Sequence, residues 1–270
     1  MDSLVTVDWL KNHLSDSDLI ILDASSVAIA AKEARLDSVK IAGARFFDLK
    51  NDFSDTDSKY PNTLPSAEKF QLACQNLGIN STSKIVVYDN LGVYWSPRVL
   101  WMFNAMGHSD IAVLDGGLPE WMSSGLPVEN RIFDTSNKGD FKTSFDKSKL
   151  VNFTSVLENT TAENTLLIDA RSSGRFDGTA PEPRKDLRSG HIPNSINIPY
   201  ENVLNNGKFK SVSELKLIFK DVEKENRPLV FSCGSGITAC IILLASKIAN
   251  ITNEKAVFDG SWTEWAQRVK

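Results

Sequence analysis

The chain contains itself twice. Leu22-Asp23-Ala24 returns as Ile168-Asp169-Ala170, and Lys40-Ile41-Ala42-Gly43 returns as His191-Ile192-Pro193-Asn194. Asp115-Gly116-Gly117 with Glu120-Trp121 returns as Asp259-Gly260-Ser261 with Glu264-Trp265. The displacements are 146, 151 and 144 residues, nearly constant across a chain of 270. A near-fixed displacement of that size is the mark of a tandem duplication, and the length is comfortable for two domains but long for one hydrophobic core. The first copy is expected over residues 1–134 and the second over 150–270. Residues 135–149 are polar, hold Gly139 and lack strong periodicity, and read as the linker.

Within each copy apolar strands alternate with helical patterns. In the first, Thr6 caps a helix to about Leu14, Leu19–Leu22 is a strand, and Pro65-Ser66 opens a helix closed by Gly78. Lys84–Tyr88 and Ile111–Leu114 are further strands, and Asn51–Lys59 is a polar surface loop. In the second, Leu166–Ile168 is a strand, and Ser211 with Glu214 has capping-box spacing for a helix through Lys220. Strands alternating with helices predict an α/β fold: two tandem domains, each a mainly parallel sheet with helices on both faces. The segment Arg171–Gly190, rich in Arg, Pro and Gly, has no counterpart of similar composition in the first copy and reads as a binding loop.

The chemistry concentrates between Arg227 and Ala249. An apolar strand, Leu229–Phe231, leads to Cys233, then to the small-residue turn Gly234-Ser235-Gly236, then to a long apolar helix from about Ile237. Such a turn aims several backbone N–H groups at one point and the helix adds the positive end of its dipole, a field that favours a thiolate. The duplication supplies a control. At the displacement of 144, Cys233 stands opposite Asp89, so only the second copy can use a thiolate, and the bulky Leu91–Trp95 is expected not to reproduce the turn. The first copy is therefore expected to be non-catalytic.

Other classes are narrowed by composition. A formal net charge of -4 with 41% hydrophobic and 24% charged residues argues against disorder and against nucleic-acid binding. No apolar run reaches bilayer-spanning length. The opening residues, MDSLVTVDWLKNHL, pattern as an amphipathic helix rather than as a secretory or transit signal, so a cytoplasmic location is expected. Three cysteines without a C-x-x-C pair suit a reducing compartment and offer no ordinary zinc site. A phosphatase of the cysteine type needs an arginine after five intervening residues, and Ala239 stands there.

The tandem arrangement, the IDAR strand end, the GHIPNSINIP segment, the CGSGIT loop and the DGSWTEW ending together resemble the rhodanese superfamily over essentially the whole chain. Within it, CGSGIT is similar to the active-site loop of 3-mercaptopyruvate sulfurtransferases, whereas thiosulfate sulfurtransferases carry basic residues where Gly234 and Ser235 stand. The resemblance implies that Cys233 is the nucleophile and carries a persulfide, that Ser235 assists, and that Gly234, Ser235, Gly236, Ile237 and Thr238 line the substrate loop. It also implies that Arg175 and Arg184 grip the substrate's carboxylate and carbonyl, a task suited to a planar, permanently charged fork. Arg188 is a third candidate nearby. The implied acceptor is a thioredoxin-like protein, a small thiol or cyanide, with no cofactor or metal beyond the covalent persulfide. Thiosulfate is the alternative donor, and a non-catalytic binding module the alternative role. Some schemes for the family couple the serine to an aspartate and a histidine from the first domain, where this chain has Lys50 and Asn62. Cys74, Cys240 and His191 read as structural, His13 and His108 as surface or turn residues, Trp265 as core, and Trp262 as lining the pocket mouth.

Overall fold

The structure, a computed structural model, describes residues 1–26, 38–133 and 137–269. The expected end of the first copy at residue 134 and the start of the linker lie outside the described residues. The chain forms two compact units. One comprises residues 1–56, 64–146 and 206–208, and the other 57–63, 147–205 and 209–270.

Each unit is built on a five-stranded parallel sheet. In the first the strands lie in the order Leu4–Val5, Ile111–Leu114, Lys84–Tyr88, Leu19–Asp23 and Arg45–Phe46. In the second the order is Leu150–Val151, Lys255–Phe258, Leu229–Ser232, Leu166–Asp169 and Ser195–Asn197. The two sheets match strand for strand, which is the duplication expressed as topology. The inner strands, KIVVY, IAVL, LLID and LVFS, are almost uninterrupted apolar runs because helices cover both faces of a parallel sheet. A small antiparallel pair, Val39–Ile41 with Val128–Asn130, adds to the first unit.

Local chemistry sets the helix starts. Thr6 accepts from the Trp9 amide and Ser66 from the Lys69 amide, while Ser211 and Glu214 complete the reciprocal capping box. These open the helices Val7–His13, Ala67–Asn76 and Val212–Ile218. The helix Thr238–Ile248 is buried from Thr238 through Ser246, so its apolar content is spent on every side.

One expectation for the first unit is refined and another corrected. Asn51–Lys59 is the irregular and mostly exposed loop expected, except that Phe53 and Ser54 are buried, with Phe53 stacked on Phe47 at a ring-centroid distance of 3.6 Å, so this part of it contributes to the core. His108 is also buried, packed against Phe103 and Phe141, and burial lowers its pKa. Packed against two rings, the imidazole behaves as an aromatic core residue with a polar edge.

Candidate active site

Leu229–Ser232 is the middle strand of the second sheet, so the chain leaves the sheet's carboxyl edge at its centre, with Cys233 as the first residue beyond it. That edge is where open parallel α/β sheets bind ligands. Gly236 takes φ +79, a left-handed conformation that lets the loop turn back into the helix Thr238–Ile248. Cys233 is 2% exposed, whereas Gly234 and Ser235 are half-buried.

The C-terminal helix Ser261–Arg268 fastens this loop from one side. The Cys233 amide donates to Ser261 Oγ at 3.1 Å, the Trp262 amide to the Cys233 carbonyl at 2.9 Å, and the Thr263 amide and hydroxyl to the Gly234 carbonyl at 3.0 and 2.6 Å. Ser261 Oγ also lies 4.0 Å from Cys233 Sγ. Ser261 is fully buried and held at φ +50, a costly conformation for a residue with a side chain; Gly117 occupies the matching position of the first copy at φ +54.

Arg175 and Arg184 both reach this neighbourhood. Arg175 Nη2 lies only 3.0 Å from where a Cβ on Gly234 would stand, so glycine at 234 leaves room for the guanidinium. Arg184 is half-buried: burial lowers its pKa, the Cys233 sulfur opposes that, and Arg175 adds to the depression. Arg184 Nη1 donates to Thr263 Oγ1 at 3.3 Å, and Thr263 in turn donates to the Gly234 carbonyl. Two cations therefore flank the thiol-bearing loop.

Arg175 is anchored by a residue that sequence reasoning missed. Glu182 accepts from Arg175 Nη2 at 2.6 Å and Nε at 3.2 Å, and from Arg171 Nη1 at 2.7 Å. Arg171 also grips Asp169 at 2.6 Å and lies 4.3 Å from the Trp262 ring centre. Burial opposes the charge on Arg171, and Asp169 with Glu182 outweighs it, so its pKa is raised. The binding-loop segment is thus ordered by a buried network, with one short helix, Ser173–Phe176, inside it.

The remaining expected residues divide clearly. Ile237 and Thr238 are buried, Thr238 as the first residue of its helix. Asn62, from the segment 57–63 that packs in this unit, donates through Nδ2 to the Ser235 carbonyl at 3.2 Å and to Ser235 Oγ at 3.1 Å. Lys50, in the other unit, lies over the Trp95 ring at 5.5 Å. Arg188 donates to the Val269 carbonyl and lies over Trp262 at 5.0 Å. Trp262 is 0% exposed, with its indole N–H on the Arg188 carbonyl, so the expectation that it lines the pocket mouth is corrected: it is a core residue between two guanidiniums. Trp265, Cys74 and Cys240 are buried, and burial pushes the Cys74 thiol's pKa far up. His191 stacks on Phe176 and bonds its carbonyl.

The first copy's matching loop is informative. Asp89 is fully buried, and its carboxylate accepts from the amides of Leu91 (2.9 Å), Tyr94 (3.0 Å), Trp95 (2.8 Å) and Ser96 (2.8 Å), and from Ser96 Oγ (2.8 Å). Despite its bulk, Leu91–Trp95 does curl its amides about one point, with Gly92 at φ +93 in the place of Gly236. The expectation that it would not is corrected: the contacts are made by backbone amides, which every residue but proline carries whatever its bulk.

Among the described residues no group of three or more His, Cys, Asp or Glu side chains is placed to hold a metal, and no helix is long and apolar enough to cross a membrane.

The family model of the rhodanese-like domain matches residues 6–124 and again 153–268. The chain is 38% identical over 279 residues to a 3-mercaptopyruvate sulfurtransferase of Mus musculus, covering 99% of this chain and 93% of the relative. It is equally 38% identical over 278 residues to a thiosulfate sulfurtransferase of Rattus norvegicus, with coverage of 99% and 93%. Among solved structures it is similar to a 3-mercaptopyruvate sulfotransferase from Escherichia coli, with TM-score 0.85, 32% identity, and 97% and 99% of the two chains covered.

Proposed function

This chain belongs to the rhodanese-like family, with two copies of the domain in tandem, and on that premise we propose that it is a 3-mercaptopyruvate sulfurtransferase working through Cys233. The observation that carries the reading is the pair of matched loops. In the first copy four amides and a hydroxyl converge on the Asp89 carboxylate; in the second a thiol stands at the same position, flanked by Arg175 and Arg184. The second loop leaves its sheet at the same position and has Gly236 at φ +79 where the first has Gly92 at φ +93, and a backbone nest of that kind would support a thiolate and then a persulfide.

In the first half-reaction the Cys233 thiolate attacks the donor's sulfur. The Sγ–S bond forms, the S–C3 bond breaks, and its electron pair leaves as the enolate of pyruvate. The proton that entered on the donor's thiol ends on C3, leaving pyruvate and a Cys233 persulfide anion. In the second half an acceptor thiolate attacks the outer sulfur and releases Cys233 as thiolate, as in thiol–disulfide exchange. Arg184 and Arg175 would hold the donor's carboxylate and carbonyl, with Gly234, Ser235, Gly236, Ile237 and Thr238 forming the floor.

Residues 1–134 and 150–270 are the two functional domains of this proposal, joined by 135–149; the two family matches fall inside them. A thioredoxin-like protein or small thiol in the cytoplasm is the proposed acceptor, in keeping with three buried thiols and no disulfide among them. The test is intact mass after exposure to 3-mercaptopyruvate without acceptor: one added sulfur, mapped to Cys233 and absent in Cys233→Ser, is expected. Thiosulfate is the competing donor, since relatives of equal identity carry that name. Faster turnover of thiosulfate at matched concentration would reverse the preference.

A further inference from the structure

Asn62 sits in a turn that is fastened to itself. Ser58 Oγ and Thr63 Oγ1 are 2.8 Å apart, the Tyr60 amide donates to Ser58 Oγ at 3.1 Å, and Thr63 Oγ1 donates to the Tyr60 carbonyl at 2.9 Å. Asn62 itself takes φ +60, the left-handed region that asparagine tolerates better than most side chains. From this held position its amide nitrogen meets both oxygens of Ser235, two residues beyond the thiol.

The polarity of this contact is fixed by chemistry. A backbone carbonyl only accepts, so the atom facing the Ser235 carbonyl is the amide nitrogen and not its oxygen. That nitrogen has two hydrogens, one for each Ser235 oxygen. Ser235 Oγ is therefore an acceptor toward Asn62, and its own proton is directed away from Asn62. An amide does not titrate and cannot take the serine proton. Ionisable groups near this loop among the described residues include Cys233 itself, Arg175, Arg184, Glu182 behind Arg175, Asp259 two residues before Ser261, and, beside Arg175, Tyr200, whose hydroxyl burial and Glu201 push up to about 12 while Arg175 pulls it down.

We propose that Asn62 is a positioning residue that fixes Ser235 as a permanently neutral hydrogen-bond donor to the enolate oxygen of the departing pyruvate. Ser235 donates a hydrogen bond and keeps its proton. The inference rests on the sulfurtransferase reading and adds to it the origin of the serine's direction.

Two variants of the full chain test it. Asn62→Gly keeps the positive φ and removes the amide. Asn62→Asp keeps the shape but only accepts when ionised, and regains one O–H donor when protonated. With 3-mercaptopyruvate, kcat of Asn62→Gly is expected to fall roughly 10- to 100-fold, the scale of a misdirected catalytic group, with KM within about threefold. Asn62→Asp should be as slow at pH 8 and at pH 6 and recover toward the wild-type rate only as pH falls through the ordinary carboxyl range, from ~5 toward ~4, while the ratio of Asn62→Gly to wild type stays flat. If Asn62→Gly does not fold, the pH dependence of the Asp variant's ratio to wild type decides alone. A glycine variant within twofold of wild-type kcat, or an aspartate ratio independent of pH, overturns the inference while leaving sulfur transfer intact. A wild-type protein that releases no pyruvate from 3-mercaptopyruvate refutes the sulfurtransferase reading and the inference with it.

Discussion

Replacing Glu182 by Gln separates the structural from the functional duty of the arginine network. The Glu182 side chain is 2% exposed and serves two guanidiniums, with Arg171 at 0% and Arg175 at 21% side-chain exposure. With Asp169 it makes two carboxylates against two arginines, a neutral buried set. Glutamine keeps the shape, loses the charge and turns an N–H toward one guanidinium, so donor faces donor. Removing one partner of a buried pair costs ~3–5 kcal/mol; the partial exposure of Arg175 returns some of this to water, which puts the expected loss at about 3 kcal/mol. At roughly 3 °C per kcal/mol for a domain of this size, Tm should fall by roughly 10 °C. Because Arg175 would no longer be held over Gly234, KM for mercaptopyruvate should rise about tenfold, or about 1.4 kcal/mol, with a smaller change in kcat. Differential scanning calorimetry and steady-state kinetics read the two effects separately. Lys224→Ala is the control: its pair with Asp221 is 75% exposed on both sides and should contribute little. A Glu182→Gln protein that melts with wild type and keeps its KM would refute the network's role in both respects.

Arg184→Ala should lower kcat/KM for mercaptopyruvate by ~1.5–3 kcal/mol, the value of a charge-assisted hydrogen bond; an unchanged specificity constant would contradict its role in donor binding. Ser261→Ala leaves the buried Cys233 amide without its acceptor, and should cost ~1–3 kcal/mol in urea unfolding and slow persulfide formation in a stopped-flow trace. Neither change appearing would show that the hydroxyl is dispensable. Lys255 is held at about 8, lowered by burial first and then by Lys247 and Lys149. The unfolded chain therefore binds more protons above that pH, so stability should rise between about pH 8 and pH 10 and rise less in Lys255→Gln, as read by urea midpoints. Equal slopes in the two proteins would remove Lys255 as the cause.

What was legible from residues alone was whatever depends on neighbours in the chain. The strands Lys84–Tyr88 and Leu229–Ser232 are apolar runs bounded by turn formers, and the caps Thr6, Ser66 and Ser211 announce their helices within three residues. The Cys233 loop was legible for the same reason, since thiol, glycines and helix start are contiguous. Long-range polar contacts were not. Glu182, an acid between two prolines, reads as solvated, and only folding brings Arg171 and Arg175 onto it. Asn62 finds Ser235 across 173 residues; the family resemblance marked its position, but no local pattern encodes the meeting. Trp262 was misjudged because indole suits both a core and a rim, and the deciding contacts are two arginines from a different segment.

The two loops also suggest why a duplicated chain needs only one thiol. Asp89 fills its ring permanently: a carboxylate oxygen stands two bonds from Cβ, and the amides of Tyr94, Trp95 and Ser96 all close on the same oxygen, Oδ2. In a persulfide the outer sulfur likewise stands two bonds from Cβ. On the proposed chemistry, the second copy therefore reaches the first copy's filled arrangement only after taking sulfur, and vacates it when the acceptor thiol attacks. A side chain held in place for good makes the first loop a structural element, whereas sulfur that arrives and leaves would make its counterpart a site. The difference between scaffold and catalyst then lies in whether the side chain at the strand's end can exchange its second atom, which cysteine can and aspartate cannot.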